Sequence, residues 1–373
     1  SVSLTGSLIV TNVTNKAVVS GKYGVGGFVG VIDSLSKGVE VTFKDCVNDG
    51  NVTGRDRVGG FVGYVYVNKD LTMTFSDSIN NGNITRSVDF VGGFVGFIYG
   101  NTNMEMTISN CTNNGLITGN DGYVGGYVGY IGFNNMAIII SNCVNNGLIT
   151  GGTSMGGFFG FIFENNGLNM TISNCTNTGK INGTDYIGGF VAYIRGNENL
   201  KSLSFGIINS ANKGIVSAEN RMACGMICIN PDTTYNVNTT VLNSINKGSV
   251  NATTNAYGIT NIITKARNVV SMGEVNASSD SFTFWESSTD VDLFFGMDGK
   301  CVNCTDGTTL FVHNTNTGFY EVESGEHVHD LLNAEVEKQN YGMFWTEELD
   351  LVEPHVEPSP SPSPSSQSGG LSD

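Results

Sequence analysis

Short runs in which every second residue is apolar recur along this chain. In one of them Leu71, Met73 and Phe75 alternate with Thr72, Thr74 and Ser76, a period of two that lines one face of a β-strand with apolar side chains. Two other kinds of run accompany it. Val91 to Ile98 interleaves glycine and phenylalanine with valine and isoleucine, and Leu116 to Thr118 is a brief Leu-Ile-Thr. The density of glycine and β-branched residues excludes helix. Asn-Asn-Gly and Asn-Asp-Gly between the runs supply left-handed turn conformations. One unit therefore predicts three short strands, at Val91–Ile98, Met104–Asn110 and Leu116–Thr118.

The unit repeats. A Gly-Gly pair followed by an aromatic residue falls at Gly26-Gly27-Phe28, Gly59-Gly60-Phe61, Gly92-Gly93-Phe94, Gly125-Gly126-Tyr127, Gly156-Gly157-Phe158 and Gly188-Gly189-Phe190, with spacings of 33, 33, 33, 31 and 32. An Asn-x-Gly marker keeps the same period at Gly50, Gly82, Gly115, Gly147, Gly179, Gly214 and Gly248, and is weakened at Gly273. Past residue 200 the Gly-Gly pair decays to Cys224-Gly225 and Tyr257-Gly258. A single unit cannot bury its own apolar face, whereas units stacked at the strand spacing of ~4.8 Å share a continuous core. The expectation is an all-β chain, a parallel β-solenoid of about 33-residue coils covering residues 1–280, regular to about 200 and degenerate after. A radial, propeller-like arrangement of small antiparallel sheets is the alternative.

Columns of like residues favour stacking. Asn110, Asn142, Asn174, Asn209 and Asn243 share one column with Asp45 and Asp77, while Asn113, Asn145, Asn177, Asn212 and Asn246 share another. Amides in register can bond the coil above and the coil below. These columns are therefore read as structural ladders.

Residues 281–352 lack the period and carry Phe282, Phe284, Trp285, Phe294, Phe295, Phe344 and Trp345, with a short helix expected from about Asp330 to Lys338. They suit a cap for the open end of a solenoid. Residues 353–373 contain Ser359-Pro360-Ser361-Pro362-Ser363-Pro364 and are expected to be a disordered stalk. Charge follows the same division: residues 1–273 carry 15 acids and 16 bases, residues 274–373 carry 19 and 2. Neither part offers the basic footprint that a phosphate backbone needs, so nucleic acid is excluded as a partner. No basic n-region or apolar h-region opens the sequence, and its longest apolar stretch, Met136 to Ile140, is too short to span a bilayer. The expectation is a soluble chain.

Candidate chemistry is sparse. Gly152-Thr153-Ser154-Met155-Gly156 matches a nucleophile elbow, but no helix follows it and the first histidine is His313. Asp45 and Asp77 are spaced like a retaining carboxylate pair on neighbouring coils, although every later member of their column is Asn. Asp56, Asp121 and Asp185 precede the Gly-Gly pairs of non-adjacent coils, too far apart to converge on one calcium ion, and read as solvated turn residues. Cys301, Cys304, His327 and His329 form a weak four-ligand zinc candidate. Cys46, Cys111, Cys143 and Cys175 share a column with Ser78, Ser210 and Ser244, which points to small stacked side chains, with a bridge from Cys143 to either neighbour open in an oxidising compartment. Cys224 and Cys228 are expected to be buried. Sequons stand at Asn12, Asn51, Asn83, Asn110, Asn169, Asn174, Asn182, Asn238, Asn251, Asn276 and Asn303. Turn positions make Asn51, Asn83 and Asn182 the better glycan acceptors, with Asn238 and Asn251 also candidates, whereas Asn110 and Asn174 are expected to be hidden in the ladder.

The run Val-Gly-Gly-Phe-Val-Gly-Phe, followed by Asn-Cys-Thr-Asn-Asn-Gly-Leu-Ile-Thr-Gly, resembles the GLUG-type repeat of bacterial and protozoan surface proteins, notably the large repeat-rich surface proteins of trichomonads. The resemblance covers about residues 1–275. It implies an exposed coat or adhesive role, brings no catalytic residue or cofactor, and implies a membrane anchor after Asp373. The expected function is therefore an extracellular structural or adhesive ectodomain that binds host or matrix glycans, proteins or copies of itself. Two alternatives stand beside it. One is a secreted polysaccharide-acting enzyme on a β-helix, with a cleft at Asp292, Glu321, His327 and Glu347. The other is a filament built by end-to-end stacking.

Overall fold

The structure is a computed structural model. It describes residues 6–33, 38–86, 89–163, 167–195, 203–229 and 237–262, and beyond these 264–271, 273–278, 280–284, 290–296, 311–314, 318–321, 333, 336–337, 343–345 and 351–352.

One coil shows the plan. Phe90–Gly92 and Val95–Tyr99 lie in a first sheet, Thr102–Ser109 and Thr112–Asn113 in a second, and Ile117–Thr118 in a third; Tyr123–Gly125 then re-enters the first sheet one level up. Phe90 pairs with Tyr123, Met106 with Ile138 and Ile117 with Ile149, all in parallel. Among the described residues the three sheets contain 16, 19 and 9 strands. The chain is thus an all-β parallel β-solenoid. A radial array would pair strands within a unit, whereas here they pair between units. Parallel pairing continues to Asp290–Gly296, onto which Phe311–Asn314 and Gly318–Glu321 add as an antiparallel hairpin. Asn333, Val336 and Glu337, within the expected helix, are helical.

The apolar alternation read from the sequence is the inward row of the nineteen-stranded sheet. Leu71, Met73 and Phe75 are buried, Thr72 is exposed, and Thr74 and Ser76 are half-buried. Met73 pairs with Met106, which pairs with Ile138, so one side-chain column runs through the core.

The first expected strand is broken in two, and the break explains the Gly-Gly-aromatic marker. The N–H groups of Phe94 and Val95 both donate to the carbonyl of Tyr127, at 3.0 and 2.9 Å. The same sharing recurs at Phe61 with Val62 and at Phe158 with Phe159. Two residues facing one partner make a bulge that re-aims a side chain, and here the ring after the Gly-Gly pair points inward. Phe28, Phe61, Phe94, Tyr127, Phe158 and Phe190 consequently form one stack, with neighbouring centroids 4.7–4.9 Å apart. A buried tyrosine hydroxyl needs partners, and that of Tyr127 donates to the carbonyl of Cys111 at 2.6 Å and lies 3.0 Å from that of Val144.

The second glycine of the marker, which persists at Gly225 and Gly258 after the first has given way to Cys224 and Tyr257, has no room for a side chain. A methyl at Gly93 would lie 2.1 Å from the carbonyl oxygen of Gly126 and 2.8 Å from Oδ1 of Asn113, whereas Gly6 has open space around it. Gly93→Ala is expected to cost about 3 kcal/mol or more, since backbone must move to relieve the clash. Gly6→Ala should be neutral. Urea denaturation of the two variants measures the difference.

Candidate functional site

The most ordered polar feature is a file of amides inside the rod. Nδ2 of Asn15 donates to Oδ1 of Asn48, and the relay continues through Asn80, Asn113, Asn145, Asn177 and Asn212 to Asn246, every link 2.7 or 2.8 Å long. From Asn48 onward each amide is fully buried. A buried amide without partners is costly, and each Nδ2 makes a further bond to the carbonyl two residues on, for example Asn48 to Gly50 at 3.0 Å and Asn80 to Gly82 at 3.1 Å. That second acceptor fixes which end of the amide is nitrogen. Both glycine markers touch this file. The second glycine of the pair abuts an asparagine side chain, Gly27 against Asn48 and Gly60 against Asn80; the glycine of Asn-x-Gly abuts the amide one coil below, Gly82 against Asn48. A shorter buried file joins Asn68, Asn101 and Asn134.

The other predicted column sits differently. Asp45, Asp77, Asn110, Asn142, Asn174, Asn209 and Asn243 all have φ between 44° and 53°, a left-handed conformation that Asn and Asp tolerate better than other side chains. Asn110, Asn142 and Asn174 are exposed, contrary to the expectation that Asn110 and Asn174 are hidden, because this turn points outward. Asn209 and Asn243 are buried, and Nδ2 of Asn243 donates to the carbonyl of Met343.

The bonds of this column, and of other exposed turns, run the opposite way. Asn110 donates back to Asp77, Asn142 to Asn110, Asn174 to Asn142 and Asn243 to Asn209. Asn81 likewise donates to Asp49, and Asn103 to Asp70. A file whose donors all point toward the N-terminus ends in a group that only accepts, and an ionised aspartate is such a group. Asp77, Asp49 and Asp70 terminate their files in this way, so Asp77 serves as an acceptor within a ladder.

The remaining candidates disperse. Ser154 is buried in the strand Ser154–Gly156. Asp121 is exposed and Asp185 half-buried, but Asp56 is buried, not solvated, at the start of the strand Asp56–Gly59. Cys46, Cys111, Cys143 and Cys175 are buried free thiols; Sγ of Cys111 donates to the carbonyl of Ser109 and that of Cys175 to Ser173. The hydrogen bond with Cys143, and then burial, drives the Cys111 thiol well above its ordinary range, and burial does the same to Cys175. Cys224 and Cys228 form a disulfide, a pairing the sequence reading missed although their separation of 4 was in view. Asn51, Asn83 and Asn238 are exposed, while Asn182 and Asn251 are half-buried. Asp292 and Glu321 lie in the strands Asp290–Gly296 and Gly318–Glu321. Cys301, Cys304, His327, His329 and Glu347 fall outside the described residues.

One face was not anticipated. On the outer side of the sixteen-stranded sheet aromatic side chains form columns: Tyr64, Phe97, Tyr130, Phe161 and Tyr193 stand in register, with Phe97, Tyr130 and Phe161 buried by half-buried neighbours, Tyr66 and Tyr99 on one side and Phe90 and Tyr123 on the other. Ring centroids along the central column are 4.7–5.6 Å apart. Four arginines lie over rings of this sheet, Arg57 4.6 Å from the Tyr64 centroid, Arg195 5.3 Å from Phe163, Arg221 5.6 Å from Tyr186 and Arg55 6.0 Å from Tyr23. Burial pushes the Tyr64 phenol up to about 12 despite Arg57 beside it. Apart from Asn303, which lies outside the described residues, every sequon falls in the other two sheets or their turns. The signal was present in Val95, Phe97 and Tyr99. Once the bulge displaces the alternation, the two rings face outward.

Beneath this face, Arg86 breaks a column of small residues. Its register partner is Gly54, and the same position is Gly183, Ala218, Ala252 and Ala277 farther along. Its guanidinium lies against Gly119 and Gly122, and Nη2 donates to the carbonyl of Asp121 at 2.7 Å. Burial lowers Arg86 to about 10, against the pull of Asp89, Asp56 and Asp121. Burial also raises the Asp56 carboxyl, although Arg57 opposes this.

Asn113→Ala is expected to lower stability by about 2–4 kcal/mol, since it opens a cavity and leaves amide groups of its neighbours unpaired. Denaturant melts report it. The raised Asp56 carboxyl means that the folded state binds a proton more tightly than the unfolded chain, so this contribution is full below the ordinary value of 3.8 and is lost as pH rises through the folded value. Asp56→Asn should remove that segment of the stability profile and melt higher than the parent at neutral pH, as read from thermal melts across pH.

No protein-family model, curated protein or solved structure matches this chain.

Proposed function

We propose that this protein is a non-catalytic structural and adhesive repeat scaffold of the cell exterior, of the GLUG-repeat kind, whose recognition surface is the aromatic face of the sixteen-stranded sheet. Its ligand is a glycan or protein of the host or matrix. The observation that carries this reading is the contrast between faces: tyrosine, phenylalanine and arginine crowd one sheet, while the described sequons occupy the others. Aromatic residues and arginine are the side chains most enriched at the energetic centres of interfaces. Glycans on Asn51, Asn83 or Asn238 would leave this face bare. The Cys224–Cys228 disulfide fits an oxidising compartment. Among the described residues, repeating polar turns and thiols buried as packing groups supply a frame and no reacting centre, which is why an enzyme is not proposed.

Glycan-array and host-cell binding by the whole chain tests the reading. Tyr66→Ser with Tyr99→Ser, both half-buried rim residues, should weaken binding by about thirtyfold, at ~1 kcal/mol for each ring. Thr74→Ala with Thr107→Ala, on the outer face of the nineteen-stranded sheet, should leave it unchanged. Uniformly negative binding would reduce the role to a structural coat.

A further inference from the structure

Three turns of one column share the pair Asn-Gly. Asn81-Gly82, Asn114-Gly115 and Asn146-Gly147 stand on successive coils, above Asp49-Gly50 and below Thr178-Gly179, and all three asparagines are exposed. In a flexible chain this pair is chemically labile. The glycine nitrogen, with no side chain on its own residue to crowd the approach, gives up its proton and attacks Cγ of the asparagine. A C–N bond forms, the side-chain nitrogen leaves as ammonia, and the product is a cyclic succinimide. Water then opens the ring at either carbonyl, giving aspartate or isoaspartate. In the second product the main chain runs through the former side chain.

The rod withholds both reacting groups. Each glycine N–H is committed to the coil below: Gly82 donates to the carbonyl of Asn48 at 2.9 Å, Gly115 to that of Asn80 at 3.2 Å and Gly147 to that of Asn113 at 3.1 Å. The nitrogen that must lose its proton to attack is thus held as a hydrogen-bond donor. Each amide is held from both sides as well. Nδ2 of Asn81 donates to Asp49 while its Oδ1 accepts from Asn114, Asn114 accepts in turn from Asn146, and Oδ1 of Asn146 accepts from the hydroxyl of Thr178 at 2.6 Å. Rotating any of these amides breaks its bonds to the coils above and below.

The product has no place in the stack. Each of these glycines is already hard against the coil below: an added Cβ would lie 2.1 Å from the Gly50 oxygen and 2.8 Å from Nδ2 of Asn48 at Gly82, and 2.0 Å from the Gly82 oxygen and 2.8 Å from Nδ2 of Asn80 at Gly115. Gly147 is walled in the same way by Gly115 and Asn113. Isoaspartate lengthens the main chain by one carbon just before the glycine, which can then no longer keep its place beside the buried amides. Plain aspartate is milder, since it only loses the donor that ties its level to the one below. We propose that Asn81, Asn114 and Asn146 are sites of spontaneous isoaspartate formation that the folded rod holds shut, so that the modification accumulates only in chains that have opened and then bars them from restacking.

Peptide mapping of the whole chain, incubated in mildly alkaline buffer either folded or in denaturing urea, tests this. The three sites should convert about tenfold or more slowly in the folded rod, where reaction waits on local opening. In urea they should convert as fast as short peptides carrying the same pairs. Dilution of the urea-treated chain, followed by size-exclusion chromatography, should return a refolded pool depleted of isoaspartate at these positions and an unrefolded pool enriched in it. Equal conversion in the folded and unfolded protein, or isoaspartate shared evenly between the two pools, would each overturn the proposal.

Discussion

The amides from Asn15 to Asn246 must be satisfied within the protein, because water does not reach them beyond the first coil. Their relay holds only if successive coils keep one height and one rotation, since each link spans 2.7 or 2.8 Å. The glycines follow from that requirement. A side chain at Gly60 would strike Asn80, and one at Gly82 would strike Asn48. The two glycine signatures of the repeat are thus the two walls of one channel for amides. Its buried polarity specifies stacking more narrowly than the apolar rows could, because methyl groups slide past one another at little cost and a broken amide relay is expensive.

Much of this was legible in the sequence, and what escaped shares a cause. A period near 33 places residues in columns but does not say which side of the wall a column occupies. Asn113 and Asn110 looked alike for that reason, although one lies in the core and the other sits on a left-handed turn in solvent. The alternation in Leu71, Met73 and Phe75 was read correctly because no bulge interrupts it. In Val91 to Ile98 the doubled hydrogen bond at Tyr127 shifts the phase, which sends Phe94 inward and Phe97 outward. Arg86 escaped because a lone basic residue in a turn-rich chain suggests a solvated side chain, whereas the glycines that make room for its guanidinium stand one coil later.

The opposed directions of the amide files divide the labour between polar residues. Buried files need asparagine at every level, since each member both gives and receives. Exposed files accept aspartate where they terminate, as at Asp49 and Asp77. Charges in the body of the molecule have local uses of the same kind: four arginines lie over aromatic rings and several aspartates close ladders.

Tyr127 is the one hydroxyl in a stack otherwise made of phenylalanine. Identical rungs carry no address, so a folding chain could pair any coil with any other and gain nearly the same contacts. The Tyr127 hydroxyl reaches the carbonyls of Cys111 and Val144 only when its own coil is in place. A whole-coil slip would set that hydroxyl and the Arg86 guanidinium beside residues other than those they bond here, the carbonyls of Cys111, Val144 and Asp121. These two irregularities act as page numbers in a book of nearly identical leaves, telling the chain which level it has reached.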